Sequence, residues 1–269
     1  MSIRILALAI SLIALWGCST TSGVDAPVID DVQVAAVAAQ PVAPRGHGPA
    51  PAAVPDRGYS VELAHGEVRR GTAGQNCIAL TFDDGPHPTL TPRLLETLAE
   101  LHVQATFFLV GNRVAQWPEI ATAIHQGGHE IGNHSWSHAN LTQLDSPAVQ
   151  REISRTDEII LSATGVRPDI IRLPYDGSSA RVLSLIDRPV IFWDIDTLDW
   201  KNPSVPAIVS AAGRASSGSI VLMHDIHSAT VNSVRGIVEN LRARGYEFVT
   251  VSELMSGRPC TPTVVAGLQ

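Results

Sequence analysis

The sequence predicts an α/β domain built on a parallel sheet, and three observations lead there. Short apolar runs rich in β-branched and aromatic residues recur from residue 77 to residue 251: CIALTF, QATFFLV, HEIGN, DIIRL, PVIFWDI, SIVLMH and EFVTV. Amphipathic stretches separate them, with apolar residues at helical spacing, as in Leu94, Leu95, Leu98 and Leu101. Strands that are apolar on both faces and alternate with helices belong to parallel sheets covered on both sides. About seven such units fit a closed or nearly closed β/α barrel better than an open sheet.

Taken in chain order, residues 1–18 read as an export signal. Arg4 provides the charged start, and the apolar stretch Ile5 to Trp16 is too short to span a bilayer about 30 Å thick. Leu15, Trp16, Gly17 and Cys18 resemble the cleavage box of bacterial lipoproteins, which implies processing before Cys18 and a lipid on its thiol. Ordinary secretion with cleavage elsewhere is the alternative. Residues 19–70 are dominated by Ala, Pro, Val and Gly and carry neither a 2-residue nor a 3.6-residue period, so they read as an extended or disordered tether. The folded domain is expected over residues 71–260, followed by a short tail, 261–269. Helices are expected at Thr91–Leu101, Val114–Gln126, Pro147–Ala163, Ala180–Ile186, Pro206–Ala215 and Val231–Arg244. No internal repeat is evident.

The formal charge of −7 has no compensating basic stripe, which argues against nucleic acid and permits a neutral polymer as partner. Of three cysteines, Cys18 is assigned to the lipid. Cys77 and Cys260 stand at the two ends of the folded domain and are expected to pair in an oxidising compartment. Closing so long a loop stabilises by about 5 kcal/mol in the chain-entropy account.

In a β/α architecture the functional site gathers at the carboxyl ends of the strands. Five strand ends here carry polar groups: Asp83 and Asp84; Asn133, His134 and His138; Arg172; Asp196 and Asp199; His224. His134 and His138 are four residues apart, so on a helical turn their rings would share one face and one metal ion. Asp84 would complete a two-histidine, one-carboxylate set with open positions, suited to catalytic zinc and equally to non-heme iron. Adjacent residues on a strand point to opposite faces. Asp83 and Asp84 can therefore serve one site only where the chain leaves the strand, a turn that Gly85 and Pro86 are expected to make. One aspartate then binds metal while its neighbour stays free as a base.

Five strings in this order, TFDDG (81–85), HSWSH (134–138), RLPYDG (172–177), DTLDW (196–200) and LMH (222–224), resemble the motifs of the polysaccharide deacetylases, the family-four carbohydrate esterases. The resemblance spans almost the whole folded domain. It implies a distorted (β/α)7 barrel, a divalent metal, usually zinc with cobalt or another divalent ion as alternatives, and hydrolysis of N-acetyl or O-acetyl groups on sugar polymers. By that resemblance Asp84, His134 and His138 are metal ligands, Asp83 the general base and His224 the general acid. Arg172 would orient the catalytic aspartate, Asp199 would pair with His224, and the backbone N–H of Tyr175 would face the oxyanion. Trp200 and Leu222 would wall the acetyl methyl pocket. Asp176 departs from the pattern, standing where many relatives have glycine. Asp196 is expected only to cap a loop, and His87, His102, His125, His129 and His227 are not taken as ligands.

The reading that follows is an exported, lipid-anchored deacetylase of N-acetylglucosamine polymers in the cell envelope, with peptidoglycan ahead of chitin-type oligomers. An O-acetyl esterase on a xylan-type polymer, an inactive carbohydrate-binding relative and an iron oxygenase with the same three ligands are the alternatives.

Overall fold

The computed structural model describes residues 67–71, 76–201, 204–258 and 260. Cys18, the signal segment, the tether as far as residue 66 and the tail from residue 261 lie outside them. Residues 67 and 68, which composition places in the tether, form a strand, β1 (Glu67–Val68), so the fold begins earlier than expected. Then come β2 (Cys77–Asp83), α1 (Leu90–Glu100), β3 (Thr106–Leu109), α2 (Gly111–Gln116), α3 (Pro118–Gln126), β4 (Glu130–Asn133) and α4 (Ser146–Thr164). The second half comprises α5 (Ala180–Leu183), β5 (Val190–Ile191), β6 (Ile195–Asp196), α6 (Val205–Ala212), β7 (Ile220–His224), α7 (Ser228–Ala243), β8 (Glu247–Phe248) and α8 (Val251–Met255).

All pairings between these strands are parallel, in the order β4-β3-β2-β7-β6, with β8 on β2 and β1 on β5. Single parallel bridges, Asn133 to Ile171 and Ile171 to Val190, carry the sheet round from β4 to β5. The segment from Val190 to Asp196 then passes from β5 to β6, where Asp194 N–H bonds the Ile220 carbonyl at 3.2 Å. The result is a distorted barrel in which Ile171 supplies one thin wall. All seven residues of β2 are buried: the apolar run from Cys77 to Leu80 and Phe82, with the polar Thr81 and Asp83 among them. Ile78, Leu80 and Phe82 pack outward on α1, α3 and α7, through Leu94, Leu98, Ile124 and Val234 among others. Alternation sends Cys77, Ala79, Thr81 and Asp83 to the opposite, inner face.

Besides DIIRL, which contributes only the isolated bridges of Ile171, three segments depart from expectation. The single helix expected over Val114–Gln126 is two, because Trp117 precedes Pro118 and takes a non-helical conformation at φ −136°, ψ 57°. PVIFWDI breaks into β5 and β6, since Asp194 turns its carboxylate back to the Ser219 hydroxyl and the Ile220 N–H, at 2.9 and 2.7 Å. EFVTV ends as strand at Phe248; Thr250 and Glu253 form a reciprocal capping box that starts α8. The structure joins Cys77, at the start of β2, to Cys260 with Cα atoms 5.8 Å apart, closing a separation of 183 residues.

Candidate active site

Asp83 is the last residue of β2 and lies on its inner face, 3% exposed. Asp84 would point away if the strand continued. Instead Asp84 itself adopts a left-handed backbone, φ 73°, and this turns the chain so that both carboxylates face one cleft. The reversal expected at Gly85 and Pro86 thus occurs one residue earlier. Gly85 answers a different need: a Cβ there would overlap the carboxyl of Asp225, so the backbone lies directly on that side chain.

His134 and His138 do reach the same cleft, though not on a helical turn. Ser135 and His138 take φ of 62° and 58°, and the loop between is clamped from two sides. Gly111 and Asn112 N–H groups bond the carbonyls of Ser135 and Trp136 at 3.0 Å each, while Glu152 of α4 accepts from Ser137 N–H and Oγ. Gly111 is needed for this approach, since a Cβ would meet Thr156 Oγ1 at 2.6 Å and the Trp136 ring at 2.7 Å.

The Nε2 atoms of His134 and His138 lie 3.4 and 3.1 Å from Asp84 Oδ1, and the three residues offer ligand atoms all within 4.8 Å of one another. Asp84 Oδ1 is buried and has no hydrogen-bond partner, which is costly for a carboxylate unless a cation faces it. His134 Nδ1 sits 2.8 Å from the Arg172 carbonyl; the proton it donates there leaves the Nε2 lone pair toward the cleft. Burial lowers the pKa of His134, but the Asp83 and Asp84 carboxylates outweigh it and raise the ring overall. Burial raises Asp84, and the two imidazoles outweigh that and lower it. The donor set, its spacing, the bare carboxylate oxygen and a field that favours positive charge all fit a divalent metal.

Arg172 is fully buried inside the barrel. Its Nη1 donates to Asp83 Oδ1 and Thr81 Oγ1 at 2.7 Å each, Nε to the Ile191 carbonyl at 3.1 Å, and Nη2 to the Phe192 carbonyl at 3.0 Å. Asp83 therefore has one oxygen held and the other 3.8 Å from His134 Nε2. Across the cleft, His224 Nδ1 meets Asp199 Oδ1 at 2.8 Å. Asp199 Oδ2 takes the His224 N–H at 2.8 Å and the Thr230 hydroxyl at 2.6 Å. Burial pulls the His224 pKa down, but Asp199, with help from Asp83 and Asp84, pushes it up to about 9.

The cleft encloses about 450 Å³. Leu222, buried, and Trp200, 54% exposed, line it together with Leu173 and Trp193. Tyr175, 67% exposed with φ 62°, brings its hydroxyl within 3.2 Å of His138 Nδ1. Asp176 follows at φ 53°, lines the cleft and faces Arg69 at 3.7 Å. Asp196 caps the Leu198 N–H at 2.8 Å, as expected, and lines the cleft as well. His129, not taken as a ligand, lies apart from the cleft: it is 6% exposed, accepts from Ala105 N–H at 3.2 Å, and burial lowers its pKa to about 4. Leu173, Trp193 and the buried Asp225 went unassigned in the sequence, where none carries a pattern beyond an apolar run or a strand end.

The polysaccharide deacetylase family profile matches residues 70–188. The peptidoglycan-N-acetylglucosamine deacetylase PgdA of Listeria monocytogenes is 42% identical over 179 residues, 66% of this chain and 38% of that protein. This chain thus spans well under half the length of that relative. A chitooligosaccharide deacetylase of Rhizobium leguminosarum bv. trifolii is 38% identical over 210 residues, 71% of this chain and 95% of that protein. The structure of the peptidoglycan deacetylase PdaC from Bacillus subtilis superposes with a TM-score of 0.65 at 39% identity, covering 67% of this chain and 90% of that one. The protein described here belongs to the polysaccharide deacetylase family.

Proposed function

We propose that this protein is a metal-dependent polysaccharide deacetylase that hydrolyses N-acetyl groups of N-acetylglucosamine-containing glycans. The observation that carries the reading is the arrangement of one cleft: a carboxylate pinned by a buried arginine, an imidazole paired with a buried carboxylate, and an Asp-His-His trio beside them. Asp84, His134 and His138 would hold a divalent ion, zinc in this reading, which supplies Lewis-acid polarisation of the acetyl carbonyl and acidifies a water. Asp83, with one oxygen fixed by Arg172, takes the proton of the attacking water on its free oxygen. The resulting oxyanion faces the backbone N–H of Tyr175, and Leu222 and Trp200 flank the methyl group. An amine leaves poorly until protonated; His224, raised by Asp199, donates that proton.

Peptidoglycan and chitin-type oligomers are the substrate classes named for the relatives, and the expected lipid anchor at Cys18 favours an envelope glycan. The test is acetate release by the purified full-length protein, zinc-loaded, from N-acetylglucosamine oligomers, peptidoglycan and acetylated xylan. Asp83→Asn and chelated protein serve as controls. Release from an amide glycan that both controls abolish supports the reading. Release from xylan alone would replace it with the esterase, and zinc-loaded protein that binds glycan without turnover would replace it with a binding module.

A further inference from the structure

The inner stripe of α4 is Val149, Ile153, Thr156, Asp157 and Ile160, and one member of it is a carboxylate only 4% exposed. Arg188 meets this carboxylate with both terminal nitrogens, Nη1 to Oδ1 at 2.9 Å, and Arg167 adds bonds to Oδ2 at 3.1 and 3.2 Å. A buried ion pair seldom stabilises more than apolar packing of the same size, so its presence calls for another account. The remaining partner of Asp157 supplies one. Asn133, fully buried at the end of β4, donates Nδ2 to Asp157 Oδ1 at 2.7 Å and to the Ile153 carbonyl at 2.9 Å. Both acceptors can only accept, so they fix which end of the amide faces α4. Its oxygen is thereby aimed at Ser135 N–H, 2.8 Å away. That bond closes a turn over His134 and holds Ser135 at φ 62°, a conformation serine avoids.

We propose that Asp157, locked by Arg188, orients Asn133 so that its amide folds the 133–135 turn and presents His134 and His138 to the metal; the three are positioning residues. The inference rests on the metal-binding reading of Asp84, His134 and His138. Asparagine is required at 133 because aspartate would face Asp157 without a donor, and serine could close the turn but not reach α4. Arg188 extends the chain to the entry of β5, since it also donates to the Pro168 carbonyl and lies beside Pro189, whose carbonyl bonds Ile171 N–H at 3.1 Å.

The test measures zinc affinity of the full-length protein by competition with a chromophoric chelator, the visible spectrum of the cobalt-loaded protein, and the Tm of the metal-free protein. Outer partners of metal ligands typically contribute about 10–100-fold in affinity, and a loss of that size is expected for Asp157→Asn and Asn133→Ala, with a smaller one for Asn133→Ser. Each should also shift the cobalt bands. Ile160→Ala, on the same helix face, should lower Tm and leave zinc affinity and spectrum unchanged. Parental affinity in Asp157→Asn and Asn133→Ala would overturn the inference alone, as would an equal affinity loss in Ile160→Ala. A parent that binds no zinc would overturn the metal reading and this inference with it.

Discussion

Replacing Asp225 with asparagine should make the metal-free protein more stable above neutral pH and leave it nearly unchanged near pH 4. Asp225 is fully buried one residue beyond His224, with the Thr91 hydroxyl on Oδ2 and no hydrogen-bond partner on Oδ1. Burial pushes its pKa up to about 7; the Thr91 bond opposes this only in part, and Asp84 adds to the rise. The folded value thus lies above the unfolded value of 3.8, so the folded state keeps a proton that the unfolded chain releases. Stability from this group is complete below the unfolded value and is lost as pH rises through the folded one. At about 1.36 kcal/mol per pKa unit, the loss reaches roughly 4 kcal/mol by pH 8. An amide matches the neutral acid and has no proton to lose, so the variant escapes that loss. Urea unfolding of both proteins, chelated, at intervals from pH 4 to pH 8 isolates the effect as the difference between them. A difference that stays flat with pH, or a variant less stable than its parent at pH 8, would refute the reasoning. Zinc loading should shrink the gain, because a cation held at Asp84 steadies the Asp225 carboxylate.

Three further expectations follow from the same geometry. With His224 as the acid, kcat/KM should fall as pH rises through about 9, and Asp199→Asn should move that limb to lower pH and slow amide cleavage by about 100-fold or more; an unmoved limb in a pH–rate profile would contradict the pairing. Arg172→Met leaves the buried Asp83 carboxylate without its cation and should destabilise by about 3–5 kcal/mol in urea unfolding, whereas a loss under 1 kcal/mol would show that the pair is dispensable. Replacing both Cys77 and Cys260 with alanine opens a loop of 183 residues and should cost up to about 5 kcal/mol, read as a lower urea midpoint than that of the oxidised parent.

The strands and the strand-end chemistry were legible because both depend on local pattern. The apolar residues Cys77, Ile78, Ala79, Leu80 and Phe82 of β2 announce a strand buried on both faces, and two aspartates at its exit announce a turn. Trp117–Pro118 and Thr250–Glu253 also carry local signals, a helix break and a capping box, but the apolar patterns around them masked both. Other features are not written locally. Asp225 reads as an ordinary strand-end acid; only Thr91 and Gly85, both more than 130 residues away, reveal that it is sealed from water. The break at Trp193 and Asp194 depends on Ser219 and Ile220, brought alongside by barrel closure. Asp157 looks like a polar lapse in a helix stripe until Asn133 and Arg188 surround it.

Arg172 joins two tasks that a looser design would keep apart. Its guanidinium steers Asp83, and its own carbonyl seats the ring of His134. A change at this one position therefore disturbs proton transfer and ion retention together, and the two traits cannot drift separately through it. Substitutions at Asp83 and His134 should accordingly show strong epistasis, and attempts to retune the base of this scaffold will carry its metal preference along.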